Sequence, residues 1–267
     1  MMEKELNPVS LESLAGALAY AMGVRPPEHA AAPNETLTEY VDRCLAGRKA
    51  DRVFIYNTDA IGQWVIEKYP SLWAEARDAM ELELPMCTTN PPKTPVAFGT
   101  MYTGAAPVIH GIVQYEKKLI TIDTLFDALV RAGKKVALLT RDKYSMAVIF
   151  AQRSIDYYFF DTWAEVNAKA VELILRDEYD FILTYNANFD DVLHKKGAES
   201  VETLSEMRFN CRTFCMFNEL IKNHWSHHDV LIGTGMDHGC HEKGHGEDIP
   251  EDRNIVHYYR VYPAQKE

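Results

Sequence analysis

The sequence predicts an α/β fold: a doubly wound, mostly parallel sheet with helices on both faces. Short runs rich in β-branched and aromatic residues recur along the chain, and the segments between them have the apolar periodicity of helices. The run at residues 229–234 is apolar in the way that is typical of a parallel strand buried on both faces. Strands that alternate with helices at this spacing indicate a layered α/β structure.

The individual elements follow from local signals. A compact apolar run that ends in a polar turn predicts a strand, and a periodic segment that ends at glycine before such a run predicts a helix, as at Gly133. Strands are predicted at residues 52–57, 135–140, 155–160, 179–185, 229–234 and 254–262. Helices are predicted at residues 11–22, which looks amphipathic, and at 36–45, 63–80, 121–132, 162–175 and 200–223.

Length and charge limit the class of protein. The 267 residues, 47% of them hydrophobic, suit one α/β domain over residues 1–267, in which residues 1–50 form a helical N-terminal extension. A net charge of −11 argues against a basic binding surface, so neither nucleic acid nor a membrane is an expected partner. The composition does not indicate an oligomeric state.

Targeting signals and cysteine usage predict a cytoplasmic protein. The N-terminus lacks the features of an export signal, and no apolar run approaches the roughly 18–20 residues that span a bilayer. The five cysteines are an odd number and are scattered, which favours a reducing compartment.

Residues 91–112 place one hydroxyl at the start of a predicted helix. Thr94 precedes Pro95, and Thr is favoured as an N-cap while Pro is favoured at the first helical position. A helix N-terminus also binds phosphate-like anions. Thr94 is therefore predicted to cap the helix, and it is a candidate nucleophile; for this dipeptide alone, capping is the commoner use.

Carboxylates and imidazoles follow the predicted strands, where ligands gather in a parallel sheet. The candidates are Asp59 after the first strand, Asp190 and His194 after the strand at 179–185, and Asp237, His238 and His245 after the strand at 229–234. Each also has a simpler interpretation, as a helix cap, a surface ion pair or a polar turn. Together, three carboxylates and three imidazoles without a thiolate suit two Zn²⁺ ions, with Mn²⁺ as the alternative.

The remaining histidines and cysteines are assigned to structure. His224, His227 and His228 resemble a metal cluster by number, but a solvated loop is the favoured interpretation because they precede a strand. His110 is predicted to be satisfied within its turn, with a substrate role as the minority alternative. Cys211 and Cys215 are predicted to be buried on one helix face. His29 and His257 are isolated, which is typical of surface or packing residues.

The order of these motifs resembles that of a known family. The matching residues are Pro92-Lys93-Thr94 with Thr103-Gly104, Pro107 and His110-Gly111-Ile112, then Asp190 with His194 and Gly197, then Asp237-His238-Gly239, and finally His245-Gly246. In this order they resemble the alkaline phosphatase superfamily, and especially its nucleotide pyrophosphatase/phosphodiesterase branch. The resemblance spans residues 52–263.

The resemblance implies a two-metal phosphoester hydrolase with an alkaline-phosphatase-like fold. By position, Asp59, Asp237 and His238 would hold one metal ion, and Asp190, His194 and His245 would hold the other. Thr94 would contact the metal ions and act as the nucleophile, forming a phosphothreonine intermediate that water hydrolyses. The substrate would be a small phosphorylated molecule, with a nucleotide as one candidate.

Two departures from the branch leave the substrate and two other functions open. Val96 and Ala97 stand where the branch usually has a Pro-Asn pair, and Gln114 or Tyr115 occupies the region of an asparagine that contacts phosphate. A metal-dependent phosphomutase is one alternative, although the inserted domain of such mutases is not evident. A metal-binding protein that has lost catalysis is the other.

Overall fold

One seven-stranded sheet organises the chain in the computed structural model, which describes residues 5–265. The strands are β1 (Arg52–Thr58), β2 (Leu82–Cys87), β3 (Val136–Arg141), β4 (Asp156–Phe160), β5 (Phe181–Asn186), β6 (Val230–Met236) and β7 (Asn254–Tyr262), in the order β2-β7-β6-β1-β5-β3-β4. The six strands predicted from the sequence are present, each within two residues of its expected ends.

Most of the sheet is parallel. β1 pairs in parallel with β5 and β6, and β3 pairs in parallel with β4 and β5. β7 is antiparallel to both β6 and β2. The prediction missed β2, whose Pro85 is tolerated because this strand lies at the edge of the sheet. The predicted α/β class with a mostly parallel sheet is confirmed.

Helices fill the connections between the strands. The described residues form α1 (Ser13–Ala21), α2 (Glu35–Leu45), α3 (Gln63–Lys68), α4 (Pro70–Ala79), α5 (Thr94–Thr103), α6 (Pro107–His110), α7 (Leu125–Arg131), α8 (Ser145–Ile149), α9 (Trp163–Arg176), α10 (Asn188–Lys196), α11 (Val201–His224) and α12 (Pro250–Arg253). The continuous helix predicted at 63–80 is wrong: it breaks at Tyr69, because Pro70 starts a new helix. Among residues 5–265, no helix has the length and apolar character needed to cross a membrane.

Alternate side chains of β1 show that helices cover both faces of the sheet. The ring of Phe54 lies 5.1 Å from the ring of Phe217 on α11, and Tyr56 contacts α11 as well. The neighbouring residue Asn57 points the opposite way and accepts a hydrogen bond from Tyr102 on α5. Successive residues of a strand face opposite sides, so α11 and α5 lie on different faces.

The N-terminal helices pack into the same core as the sheet. Leu14 and Leu18 of α1 belong to one continuous cluster of buried side chains with Phe98 of α5. The expected amphipathic pattern of the first helix is wrong, because nearly all of α1 is buried. Residues 5–50 therefore support the helix that begins at Thr94. Whether they form an extension outside the domain stays a prediction.

Candidate active site

The predicted ligands gather where three adjacent parallel strands end. Asp59 follows β1, and Asp237 and His238 follow β6. Asp190 and His194 lie on α10, which begins two residues after β5 ends. Because β6, β1 and β5 are neighbours in the sheet, their carboxyl ends bring these side chains to one edge.

One cluster is fully buried and lies beside the Thr94 hydroxyl. His238 Nε2 is 3.4 Å from Asp59 Oδ1 and 3.3 Å from Asp237 Oδ2. Thr94 Oγ1 lies 3.1 Å from His238 Nε2 and 3.5 Å from Asp59 Oδ1. The ligand atoms of Asp59, Asp237 and His238 lie close enough together to hold one cation.

A second cluster of three lies next to the first. Asp190 Oδ1 is 3.3 Å from His194 Nε2 and 3.5 Å from His245 Nε2. The ring of His245 stacks on that of His238 with centroids 3.9 Å apart, so the two clusters are in direct contact. Asp191 does not join, because its carboxylate accepts hydrogen bonds from Tyr144 instead.

All three imidazoles present the same nitrogen to the carboxylates. The Nδ1 atoms of His238, His194 and His245 lie 2.9–3.0 Å from the carbonyl oxygens of Gly239, Lys243 and Pro92, respectively. A carbonyl only accepts, so each Nδ1 carries a proton and donates it. In the neutral ring, Nε2 then offers a lone pair to the cluster, which is the usual arrangement of a metal-binding histidine.

One carboxylate oxygen in each cluster is buried without a hydrogen-bond partner, which indicates whether a cation would fit there. Within residues 5–265, Asp190 Oδ1 and Asp237 Oδ2 are buried and accept no hydrogen bond. A buried carboxylate oxygen without a partner is costly, and the nearest nitrogens present lone pairs when neutral. Positive charge between these atoms would satisfy the oxygens and the nitrogens together. The residues present therefore fit divalent cations.

Burial controls the charge of the inner cluster. It raises the pKa of Asp59 and of Asp237 well above the usual carboxyl value, and the nearby negative charges add to the shift at Asp59. Burial also lowers the pKa of His238 and of His245, so both rings are neutral near pH 7. The partly exposed His194 differs, because the adjacent Asp190 carboxylate raises its pKa.

Neighbouring groups hold the carboxylates of the inner cluster in place. The Tyr185 hydroxyl, at the end of β5, donates to Asp59 Oδ2. The backbone N–H groups of Ala60 and His238 both donate to Asp237 Oδ1, at 3.2 and 2.9 Å. One oxygen of each carboxylate is thereby occupied, and the other faces the cluster.

Thr94 is not the N-cap that the sequence predicts. Lys93 occupies the cap position, and Thr94 is the first residue of α5. The Thr94 hydroxyl instead donates to Asp59 Oδ1 at 3.5 Å and lies 3.1 Å from His238 Nε2. Val96 and Ala97 are fully buried in the core, so the positions where the resembling branch has Pro-Asn serve packing here.

The loop that carries His245 is fixed by a buried carboxylate. Asp252 Oδ2 accepts hydrogen bonds from the N–H groups of Gly246 and Glu247, at 2.7 and 2.9 Å, and its Oδ1 lies 2.8 Å from His241 Nδ1. His241 thus bonds Asp252 and does not reach either cluster. Lys93 Nζ donates to the carbonyl of His245 at 2.5 Å and ties this loop to the start of α5.

A cavity of about 450 Å³ opens over the clusters. Its lining comprises Asp59, Lys93, Thr94, Tyr115, Lys117, Tyr144, Ser145, Tyr185, Ala187, Asp190, Asp191, His194 and His245. A larger cleft of about 800 Å³ lies elsewhere, but its Arg131 and Arg153 are already paired with Asp123 and Asp127. The smaller cavity is the better candidate because it contains the clusters.

Several lining residues had no signal in the sequence. Tyr185 ends a predicted strand, so its position at the sheet edge was visible, but its contact with Asp59 was not. Lys117 and Tyr144 lie outside any motif and reach the cavity only through tertiary packing. Of the two residues expected near the missing asparagine, Tyr115 lines the cavity.

The other singled-out residues lie away from the cavity. His110 is buried and structural, but only its Nδ1 is satisfied within its turn, by the N–H of Ile112 at 3.3 Å; its Nε2 lies 3.0 Å from Thr100 Oγ1 on α5. Cys211 is buried on α11 and Cys215 is half-buried. His227 and His228 lie in the loop before β6 and His227 is exposed, as predicted, but both also contact Asp177.

Comparison with known proteins finds similarity in structure only. No protein-family model matches the chain, and no curated protein matches it in sequence. Murine ectonucleotide pyrophosphatase/phosphodiesterase 5 superposes with a TM-score of 0.58 at 17% identity over 70% of this chain and 57% of that one. Phosphonoacetate hydrolase from Sinorhizobium meliloti 1021, in complex with phosphonoformate, superposes with a TM-score of 0.54 at 17% identity over 73% of this chain and 59% of that one.

The chain has an alkaline-phosphatase-like fold. An inactive variant of the murine protein in complex with AMP gives the same result, with a TM-score of 0.57 at 16% identity over 71% of this chain and 57% of that one. The alkaline-phosphatase-like fold predicted from the motifs is confirmed. This chain spans only 57–59% of the length of these three structures.

Proposed function

We propose that this protein is a metal-dependent hydrolase of phosphoric esters with Thr94 as the nucleophile. The observation that carries the proposal is the convergence of three carboxylates and three imidazole nitrogens into two clusters beside one hydroxyl. Structural neighbours with AMP and phosphonoformate bound support a small phosphorylated substrate, with a nucleotide as one candidate. The proposal includes a cytoplasmic location.

Two divalent cations suit the two clusters. One cation would be held by Asp59, Asp237 and His238. The other would be held by Asp190, His194 and His245. Mixed nitrogen and oxygen ligands favour Zn²⁺, with Mn²⁺ as the alternative. Cations there would supply the positive charge that lowers the pKa of the Thr94 hydroxyl and stabilises the leaving oxygen.

The residues of the chain account for binding and bond exchange. Thr94 Oγ1 bonds to phosphorus as the bond to the leaving oxygen breaks. The hydroxyl proton passes to solvent, and the leaving oxygen takes up a proton from solvent to depart as the alcohol. The first turn of α5 offers the N–H groups of Thr94 and Val96 to the phosphoryl oxygens, since Pro95 has no N–H. Water then hydrolyses the phosphothreonine and restores Thr94. Tyr115 and Lys117, on the cavity wall, are placed to contact the leaving group.

The test is hydrolysis of p-nitrophenyl phosphate and bis-p-nitrophenyl phosphate with added Zn²⁺ or Mn²⁺. Thr94→Ala should lower turnover at least about 10³-fold, because the nucleophile is lost. Thr103→Ala is the matched control: its hydroxyl bonds the Gly99 carbonyl within the same helix, so most activity should remain.

The outcomes separate the alternatives. Equal turnover by wild type and Thr94→Ala would disprove the nucleophile assignment. Absence of turnover with either ester would favour a metal-binding protein without catalysis, or a phosphomutase that transfers the group within its own substrate. Formation of a phosphorylated protein without release of phosphate would favour the mutase.

A further inference from the structure

A third group of metal-ligating side chains lies at the opposite edge of the sheet. His227 Nε2 and His228 Nε2 lie 3.2 and 2.9 Å from the same oxygen, Asp177 Oδ2. Asp177 precedes β5, and the two histidines lie between α11 and β6. The group is therefore one strand length, about 20 Å, from the candidate active site.

We propose that Asp177, His227 and His228 form a separate site for a divalent zinc-like cation. The three ligand atoms converge within 4.8 Å of one another. Tetrahedral zinc with ligands at about 2.0–2.1 Å places neighbouring ligand atoms about 3.3 Å apart, so small shifts from the distances present would admit the ion. The two clusters at the candidate active site have ligand atoms at similar spacing, 3.3–3.5 Å.

Neighbouring residues orient the Asp177 carboxylate toward the two imidazoles. Arg52 Nε donates to Asp177 Oδ1 at 2.9 Å, which leaves Oδ2 directed at the two imidazoles. The other nitrogen of His228, Nδ1, faces the Asp51 carboxylate at 3.9 Å. One ring nitrogen toward the ligand position and the other toward a carboxylate is typical of metal-binding histidines.

Charge and exposure favour entry of a cation. Four carboxylates lie around this point, those of Asp51, Asp177, Asp180 and Asp229, against the two guanidinium groups of Arg48 and Arg52. The His227 side chain is 63% exposed, so the ion would keep an open side to solvent. Imidazole ligands select zinc or a similar first-row ion over magnesium or calcium. A bound ion would tie together the connections that precede β5 and β6.

The test is zinc content after equilibrium dialysis of the full chain at micromolar free zinc. His227→Gln and His228→Gln should each bind one ion fewer than wild type. His224→Gln is the matched control, because His224 is an exposed histidine of the same segment and should leave the zinc content unchanged. Circular dichroism checks that each variant is folded.

The result does not depend on the hydrolase proposal. The loss of one ion in the His227 and His228 variants should leave p-nitrophenyl ester turnover unchanged, and it should appear even if the protein hydrolyses neither ester. Zinc should also raise the unfolding temperature of wild type more than that of His228→Gln. Equal zinc content and equal zinc-dependent stabilisation in all four proteins would overturn the site and leave the histidines as hydrogen-bond donors to Asp177.

Discussion

The adjacent residues Asp190 and Asp191 differ in role because their side chains point in different directions. Asp190 turns toward His194 and His245, and its Oδ1 accepts no hydrogen bond within the described chain. Asp191 turns the other way and bonds Tyr144. The sequence could not choose between them, since both lie within one helical turn of His194.

Asp190→Asn should therefore lower the metal content from about two ions to about one at the candidate active site, whereas Asp191→Asn should leave it unchanged. The amide removes the charge that a cation needs, without a change in size. Metal analysis of the two purified variants, both also carrying His228→Gln to exclude the separate site, makes the comparison. Loss of metal in the Asp191 variant instead would reassign the ligand.

His257 makes stability depend on pH. Its Nε2 donates to the Met236 carbonyl at 2.8 Å, and burial lowers its pKa from 6.5 to about 4. A histidine with a lowered folded pKa contributes stability that is present above the unfolded value and is lost as pH falls through the folded value. The contribution lost between pH 6.5 and 4 is up to about 3 kcal/mol.

His257→Gln should accordingly make the fall in unfolding free energy with decreasing pH less steep across this range. The slope corresponds to the number of protons taken up on unfolding, and this number should decrease by up to about one per molecule. Urea unfolding at a series of pH values measures the slope. His29→Gln, at an exposed position, should keep the wild-type slope. An unchanged slope in the His257 variant would mean that the ring is already protonated in the folded protein.

At the scale of elements, the glycine of the Asp-His-Gly motif allows two loops to touch. A Cβ on Gly239 would lie 2.0 Å from the Glu251 carbonyl oxygen and 3.0 Å from the Gly62 Cα. The turn after β6 thus packs directly on the start of α3 and on α12, and this contact sets the position of His238. The motif needs glycine here for close approach rather than for an unusual backbone angle.

Gly239→Ala should destabilise the protein by roughly 1–3 kcal/mol, because backbone must move to admit the methyl group, and it should weaken metal binding. Gly244→Ala is the control, since no atom lies within 4 Å of its added Cβ. Chemical denaturation and metal analysis of both variants give the comparison. Equal stability would show that the loops separate at little cost.

At the scale of the whole molecule, the buried carboxylates link metal, pH and stability. Asp59 and Asp237 have raised pKa values in the metal-free protein, mainly through burial. A raised folded pKa gives stability that is present below the unfolded value near 3.8 and is lost as pH rises through the raised value. Cations favour the ionised form and should offset this loss.

The gain in unfolding temperature on adding zinc to chelator-treated protein should therefore widen from mildly acidic to mildly alkaline pH. Thermal scans with zinc or with EDTA at each pH measure it. The Asp59→Asn, Asp237→Asn double variant should show a smaller gain with little pH dependence. A constant gain in wild type would argue against metal binding at the inner cluster.

The sequence by itself determined the α/β class, six of the seven strands and the order of the residues that meet at the sheet edge. Alternating apolar runs and polar strand ends are local patterns, and parallel topology places strand ends together. It failed at β2, whose Pro85 weakens the strand signal, and at residue 69, where one predicted helix is two.

Only the tertiary structure decided which side chains meet. In the folded chain, the Thr94 hydroxyl faces Asp59 and His238 and does not cap its helix. Asp190, and not Asp191, contacts His245. Asp177 contacts His227 and His228, which lie about 50 residues away in the sequence. Spacing along a sequence reports the direction of a side chain only within one helix or strand. Contacts between elements depend on how the whole core packs, and no local pattern records them.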